Sequence, residues 1–307
     1  MKANYITRHG GPEVFEYGHL PDPLADPGQV VVDIHAASVN GADWKVREGA
    51  YSPLTEFPYI LGRDFSGTIS ALGQGVDDFS VGDEVFGVCA AGQEGTYAEK
   101  ITMDASIIAA KPDTLSHETT VALALTSLTA LVAVEETLKL QPGEKILIQG
   151  GAGGVASFAI QAAKHIGAHV VTTTSTQNID YVKSLGADEV INYQEADFTK
   201  IISECDAAFD TVGGEVAIRT FDVLKSGGRA AFIASGGKAP TSPRDDVISL
   251  RPAVGRDRKY LERMLNLVKL GAVRPPQIKT YPLQQAADAH RVSEGRHFRG
   301  KLILIIR

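Results

Sequence analysis

One stretch restricts the fold of this chain more than any other. An apolar run over residues 145–149 leads into Gly150-Gly151-Ala152-Gly153-Gly154-Val155-Ala156, and an apolar helical pattern follows to Ile166. Gly151, Gly153 and Ala156 satisfy the spacing GxGxxG/A, which gains weight from its place between strand and helix. Any Cβ in such a turn would hold the backbone away from a pyrophosphate. The helix behind it offers unpaired N–H groups and the positive end of its dipole. Ala156 lets helix and strand pack closely. The segment reads as a Rossmann-type dinucleotide-binding turn.

The surrounding pattern agrees. Strands are expected at 145–149, His169–Thr174, 190–193, 207–211 and 230–234, with helices at Gly154–Ile166 and 179–185 between them. Such alternation implies a parallel sheet covered on both faces. Ahead of it, residues 116–138 read as an Ala/Leu-rich helix with Ser116 as its cap. The first third is different: short apolar runs such as 30–35 and 67–72 sit between Gly and Pro, as in a compact barrel. At the other end, Leu261, Met264, Leu265 and Val268 form a helical stripe, and 282–294 reads as a second helix. The almost wholly apolar run 301–306 reads as a central strand.

At 307 residues the chain is long enough for two domains. The expected class is α/β: a β-barrel domain over 1–115, a doubly wound parallel sheet over 116–250, and a return to the barrel over 251–307. A formal net charge of −7 argues against nucleic acid or an anionic membrane as the main partner. The apolar stretch 121–134 is interrupted by Thr126, Ser127 and Thr129 and falls short of the roughly 20 residues of a membrane span. Cys89 and Cys205 are too few for a disulfide framework and read as free thiols. The expected location is the cytoplasm.

The end of the second parallel strand separates NAD from NADP. An acidic residue there would bind ribose hydroxyls and repel a 2′-phosphate. The chain instead has Thr172-Thr173-Thr174-Ser175-Thr176-Gln177-Asn178, with no carboxylate before Asp180. Hydroxyls and an amide can donate to a phosphate, so NADPH is the favoured cofactor.

Further motifs lie on both sides. Gly10-Gly11-Pro12-Glu13-Val14, Ser38-Val39-Asn40-Gly41-Ala42-Asp43, residues 47–51 ending at Tyr51, and Gly62-Arg63-Asp64 precede the turn. Val81-Gly82-Asp83-Glu84-Val85, Leu185-Gly186-Ala187-Asp188, Asp210-Thr211-Val212-Gly213-Gly214 and Arg299-Gly300-Lys301 continue the series. In order and spacing these resemble the zinc-independent quinone oxidoreductase (zeta-crystallin-like) branch of the medium-chain dehydrogenase/reductase family, over almost the full length. The resemblance implies a GroES-like barrel plus a Rossmann domain. It implies that Asn40 and Thr129 approach the nicotinamide, and that Gly151, Ala152, Gly153, Gly154 and Val155 hold the pyrophosphate. Ser175, Asn178 and Tyr193 would surround the adenosine 2′-phosphate and adenine. Val212, Ala234 and Ser235 would line the nicotinamide side, with Lys301 entering from the last strand. Relatives carry a basic residue where this chain has Asn178. Relatives also often pair through the edge of the Rossmann sheet, near 230–234, which implies a homodimer.

No metal is expected. Catalytic zinc needs about three converging ligands. Where metal-dependent relatives place a Cys and a Gly-His-Glu triplet, this chain has Ser38 and Gly62-Arg63-Asp64, and its eight histidines are scattered. Hydride transfer without a Lewis acid calls for an already electron-poor acceptor, a quinone or an α,β-unsaturated carbonyl. Asn40 and Tyr51 are the candidate catalytic donors to the developing oxyanion. Lys45 or Arg63 could add positive potential, and Asp64 would orient its neighbours. Two other classes stay open: a non-catalytic NADPH-binding or RNA-binding regulator, and an enoyl-thioester reductase.

Overall fold

The computed structural model describes residues 1–51 and 54–307. The chain divides into two compact units. One comprises Met1–Leu125, Arg256–Met264 and Pro275–Arg307; the other comprises Thr126–Gly255 and Leu265–Arg274.

The second unit holds a six-stranded parallel sheet. Its strand order is Glu189–Asn192, His169–Thr174, Lys145–Ile148, Cys205–Asp210, Leu224–Phe232 and Ile248–Leu250. The chain reverses its direction of travel across the sheet at Lys145–Ile148, so the loop after that strand sits at the topological switch point, where open α/β sheets bind ligands. The strands are apolar because both faces are covered. Leu147, Val171, Ala208, Phe221 and Phe232 are buried in one cluster on one side of the sheet.

The sixth strand, Ile248–Leu250, is not among the strands expected from the sequence. Three residues ahead of Arg251-Pro252 are too few for a period-2 pattern to declare itself. Residues 230–234 are therefore not the edge. Leu224–Phe232 is paired on both sides, and the edge at this end is Ile248–Leu250.

The first unit is built on two sheets. A seven-stranded sheet runs Ile278–Pro282, Lys301–Ile305, Gln29–Val39, Asp64–Leu72, Glu84–Val88 and Ile108–Ala110, with Lys100–Asp104 also pairing Gln29–Val39. A small sheet orders Phe15–His19, Lys2–Ile6 and Tyr59–Ile60. Val30, Val32, Ile34, Phe65, Ile69 and Ile108 form one core; Ile6, Leu61, Tyr97, Leu302 and Leu304 form another. Burying each large side chain contributes about 1.5–3 kcal/mol. The apolar last strand is central, paired with Ile278–Pro282 on one side and Gln29–Val39 on the other.

Three local expectations change. Ile278–Pro282 is a strand, and the following helix is Ala286–Glu294 after a 3₁₀ turn. The buried stripe of the helix Arg258–Lys269 is Leu261, Met264 and Leu267; Leu265 and Val268 are only half-buried. The Ala/Leu-rich helix is α-helical over His117–Leu131 and passes into a π-helical turn over Val132–Thr137. Together these span 21 residues at mean hydropathy 1.4, long and apolar enough to cross a membrane by composition alone. Val121, Ala122, Ala124, Leu128 and Ala130 in it are buried, as in a core helix.

Candidate active site

In the second unit, Gly150 has φ +74°, in the left-handed region. A Cβ there would stand 3.0 Å from both Thr211 Oγ1 and Val212 Cγ2. A Cβ on Gly151 would meet Thr172 Oγ1 at 2.3 Å, a clash inside the sheet. Gly151 N donates to Thr173 O at 2.9 Å and Gly150 N to Thr173 Oγ1 at 3.1 Å, which ties the turn to the neighbouring strand. Gly153 is the N-cap of the helix Gly154–Ile166 and supplies no side-chain cap. The first N–H groups, beginning at Gly154 and Val155, therefore face outward at the positive end of a 13-residue helix. This cradle fits a dinucleotide pyrophosphate.

The predicted flanking residues assemble around the turn in two groups. Val212 stands over the space a Gly150 side chain would fill, and a Cβ on Gly213 would fall 2.8 Å from Ala234 O, so Val212, Gly213 and Ala234 lie together. Ser235 follows, with its hydroxyl donating to Lys238 O at 2.9 Å. At the ends of the next two strands, Asn178 Nδ2 donates to Ser175 Oγ at 3.0 Å, and Tyr193 N donates to Thr174 O at 3.1 Å. Tyr193 is half exposed. Ala152 is buried and Thr129 half-buried.

In the first unit, Asn40 is the N-cap of the short helix Gly41–Arg47, with Asp43 closing a capping box. Its side chain is fixed from two sides. Asn40 Nδ2 donates to Asp64 Oδ1 at 2.9 Å, and Lys301 Nζ donates to Asn40 Oδ1 at 2.8 Å. Lys301 also donates to Val39 O at 3.1 Å. Asp64 accepts Ser38 Oγ at 2.7 and 2.8 Å and Leu125 N at 3.2 Å. All of these side chains are buried. Burial pushes the Asp64 carboxyl above the usual carboxylate range, opposed by Lys301 and the Ser38 and Asn40 hydrogen bonds. Burial pulls the Lys301 ammonium down, opposed by Asp64 and Asp43.

Tyr51 does not join Asn40. It is 37 % exposed, and its ring lies 5.7 Å from the Arg63 guanidinium. Among the described residues no hydrogen bond links Tyr51 to Asn40 or Lys301. Arg63 in turn bridges two buried carboxylates: its Nε and Nη2 lie 2.8 and 2.7 Å from Glu94 Oε1, and Nε is 3.4 Å from Asp43 Oδ1. Burial raises both carboxyls; Asp43 adds to the rise at Glu94, and Arg63 opposes it at each. Lys45 lies over the Trp44 ring at 5.5 Å. Among the described residues no three His, Cys, Asp or Glu side chains converge as metal ligands.

Sequence reasoning passed over Glu94 and Tyr97, which act on Asp43, and His290, which touches Tyr97. The spacing Asn40-x-x-Asp43 is a readable capping-box signal, but Tyr97 and, behind it, His290 come from far along the chain and leave no local trace.

Two family models match: the alcohol dehydrogenase GroES-like domain over residues 26–113 and the zinc-binding dehydrogenase model over residues 185–304. The chloroplast envelope quinone oxidoreductase homolog of Arabidopsis thaliana is 31 % identical, covering 98 % of this chain and 96 % of its own. A 2-haloacrylate reductase from Burkholderia sp is 29 % identical over 99 % of both chains. Among solved structures, the quinone oxidoreductase from Coxiella burnetii superposes with TM-score 0.93 at 32 % identity, covering 100 % of this chain and 99 % of that one. The Escherichia coli quinone oxidoreductase complexed with NADPH gives TM-score 0.91 at 26 % identity over 100 % of both. A GroES-like domain, a Rossmann-type sheet and this agreement over nearly the whole length have one reading: the chain is an oxidoreductase and belongs to the quinone oxidoreductase branch of the medium-chain dehydrogenase/reductase family.

Proposed function

We propose that the protein is a zinc-independent, NADPH-dependent reductase of quinones or α,β-unsaturated carbonyls. The observation that carries this reading is the buried Asp64–Asn40–Lys301 cluster. Its Asp64 and the Ser38 that donates to it lie in the two motifs in which metal-dependent relatives place ligands, and Lys301 Nζ is brought to the Asn40 amide beside them. The E. coli structure complexed with NADPH supports the cofactor, and the 2-haloacrylate reductase, named for a conjugated acid, supports the acceptor class.

When bound, the nicotinamide supplies a hydride. The chain's own residues do the rest. The cradle from Gly150 to Val155 takes the pyrophosphate on backbone N–H groups. Ser175 and Asn178 offer a hydroxyl and an amide to a 2′-phosphate, with no carboxylate in that run to repel it. Asn40 keeps its amide in one orientation: Nδ2 donates to Asp64 Oδ1 at 2.9 Å and, through longer hydrogen bonds of 3.3 and 3.4 Å, to Ser38 Oγ and O. The N–H held by the longer bonds is the donor that can turn to a developing oxyanion. Tyr51 carries a half-exposed phenol beside the Arg63 charge and is the proposed proton donor. A conjugated acceptor spreads the charge that hydride delivers, so two donors suffice.

The test is oxidation of NADPH with a panel of quinones, enones and saturated aldehydes. Turnover of the first two classes without added metal is expected. Activity confined to simple alcohols with added zinc would overturn the proposal. We also propose a homodimer formed through the sheet edge at Ile248–Leu250, where Ile248 is 53 % exposed. A monomeric mass by light scattering, unchanged in Ile248→Lys, would rule it out.

A further inference from the structure

A chain of four buried side chains leaves Arg47 at the end of the helix Gly41–Arg47, passes through His290 and Tyr97, and returns to Asp43 at the Asn40 turn, and its direction can be worked out. Arg47 Nη1 lies 3.1 Å from His290 Nδ1. A guanidinium can only donate, so Nδ1 must be the bare nitrogen and the imidazole proton sits on Nε2. His290 Nε2 is 3.1 Å from the Tyr97 hydroxyl and therefore donates to its oxygen. The Tyr97 hydroxyl proton is directed at Asp43 Oδ2, 2.9 Å away. The same oxygen accepts Asn40 N at 2.9 Å. Every bond points the same way, and all four side chains are fully buried. Arg47 is itself anchored, with Nε donating to Gly10 O at 2.9 Å and Nη1 lying 2.6 Å from Glu294.

We propose that His290 is a positioning residue for the reductase chemistry, acting through Tyr97 and Asp43 on the Asn40 turn. The proposal rests on the assignment of Asn40 to the reaction. Asp43 Oδ2 accepts from both Tyr97 and Asn40 N, and it holds them most strongly as a carboxylate, because hydrogen bonds to an ionised acceptor are the stronger ones. Its other oxygen, Oδ1, accepts no hydrogen bond and has only the Arg63 charge at 3.4 Å. Arg63 and Lys301 favour the carboxylate, whereas burial, Asp64 and Glu94 disfavour it. The hydroxyl that His290 orients is thus one of few groups keeping Asp43 charged. His290 faces the Arg47 charge, which is itself paired with Glu294, and the Phe15 and Tyr97 rings lie edge-on at 4.9 and 5.7 Å. It stays neutral, so it works as a fixed dipole and not as a proton store.

The experiment compares wild type, Tyr97→Phe and His290→Leu with NADPH and 1,4-naphthoquinone between about pH 5.5 and about pH 9. Losing the hydroxyl should move the acid limb of kcat up by about one pH unit, with about half that for His290→Leu. Near pH 6, where the Asp43 carboxyl is pushed up to about 6, kcat of Tyr97→Phe should fall about fivefold, against less than about twofold near pH 8.5. A loss equal at every pH, matching the loss of folded protein, would overturn the proposal. Tyr97→Phe removes one oxygen and keeps the ring, which guards against misfolding in His290→Leu. A wild type that oxidises no NADPH would overturn the reductase reading alone. The relay is then read by NMR in the same proteins, as an upward shift of the Asp43 carboxyl titration and a bare His290 Nδ1 in wild type. A protonated Nδ1, or an unmoved Asp43, would overturn it.

Discussion

The glycine turn of the second unit and the Asn40 cluster of the first are held by different physics. The turn is local: seven consecutive residues, an apolar strand before them and a helix after them set its shape, and its binding groups are backbone N–H. The cluster is long-range. Asn40 accepts a hydrogen bond from Lys301, 261 residues away, and donates to Asp64, 24 residues away. Its binding group is a side-chain amide held between an acidic and a basic residue in a dry interior. A backbone cradle fails by sterics when a side chain is added. A buried charge cluster fails by electrostatics when one partner is removed.

The largest expected effect tests the cluster. Lys301→Met leaves Asp64 buried without the cation that offsets its burial and should cost about 3–5 kcal/mol of stability. Urea unfolding measures it. Adding Asp64→Asn removes the stranded charge and should restore part of the loss. A cost below about 1 kcal/mol would mean that the cluster is no more tightly coupled than an exposed ion pair.

The turn is tested by two glycines that differ in surroundings. A Cβ on Gly151 meets Thr172 Oγ1, which is buried and already donates to Ile148 O at 2.7 Å. Gly151→Ala should therefore destabilise the fold by about 1–3 kcal/mol as well as weaken NADPH binding. A Cβ on Gly153 stands 3.4 Å from Gly150 O, an ordinary van der Waals separation. Gly153→Ala should fold within about 0.5 kcal/mol of wild type while still losing cofactor affinity. Equal loss of stability in both variants would show that the turn is sensitive to any added atom, not to the clash at Thr172.

The same contrast explains what could be read from residues alone. The parallel strands and the turn followed from short-range pattern, and so did the hydroxyl-rich run from Thr172 to Asn178. Motif spacing singled out Asn40, Asp64 and Lys301. Ile248–Leu250 and Ile278–Pro282 escaped because each is short and lies beside proline, which masks alternation. The π-helical turn at Val132–Thr137 follows an unbroken helical pattern, which carries no signal for one extra residue per turn. His290 read as a scattered histidine because its partners, Arg47 and Tyr97, stand 243 and 193 residues away.

A smaller effect comes from His290 through pH. Burial first, and then Arg47, bring its pKa from the ordinary 6.5 down to about 3. The folded protein therefore holds the ring neutral while the unfolded chain protonates it below 6.5. Its stability contribution is complete above that pH and is lost as pH falls toward 3, by up to about 1.4 kcal/mol per pH unit. Asp43 works in the opposite sense, since its raised carboxyl is relieved as pH falls. Comparing wild type with His290→Gln isolates the histidine. The stability difference should shift in favour of the variant as pH falls from about 6.5 to about 5.5. A difference that stays flat over that range would mean that the ring is not held neutral.

The smallest effect bears on the rim of the cradle, where a neutral side chain is proposed to read phosphate. Ser175 accepts from Asn178 Nδ2 at 3.0 Å, which leaves its hydroxyl proton free to donate outward. Ser175→Ala removes that donor and should cost NADPH about 0.5–1.5 kcal/mol of binding while leaving NADH almost unchanged. The measurement is the ratio of kcat/KM for the two cofactors with one acceptor, expected to drop by roughly three- to tenfold. Asn178 loses its own partner in this variant, so Asn178→Ala supplies the control: similar losses in both indicate one coupled donor pair. A ratio unchanged in both would remove Ser175 and Asn178 from cofactor discrimination. Selectivity would then have to come from elsewhere around the helix N-terminus at Gly154.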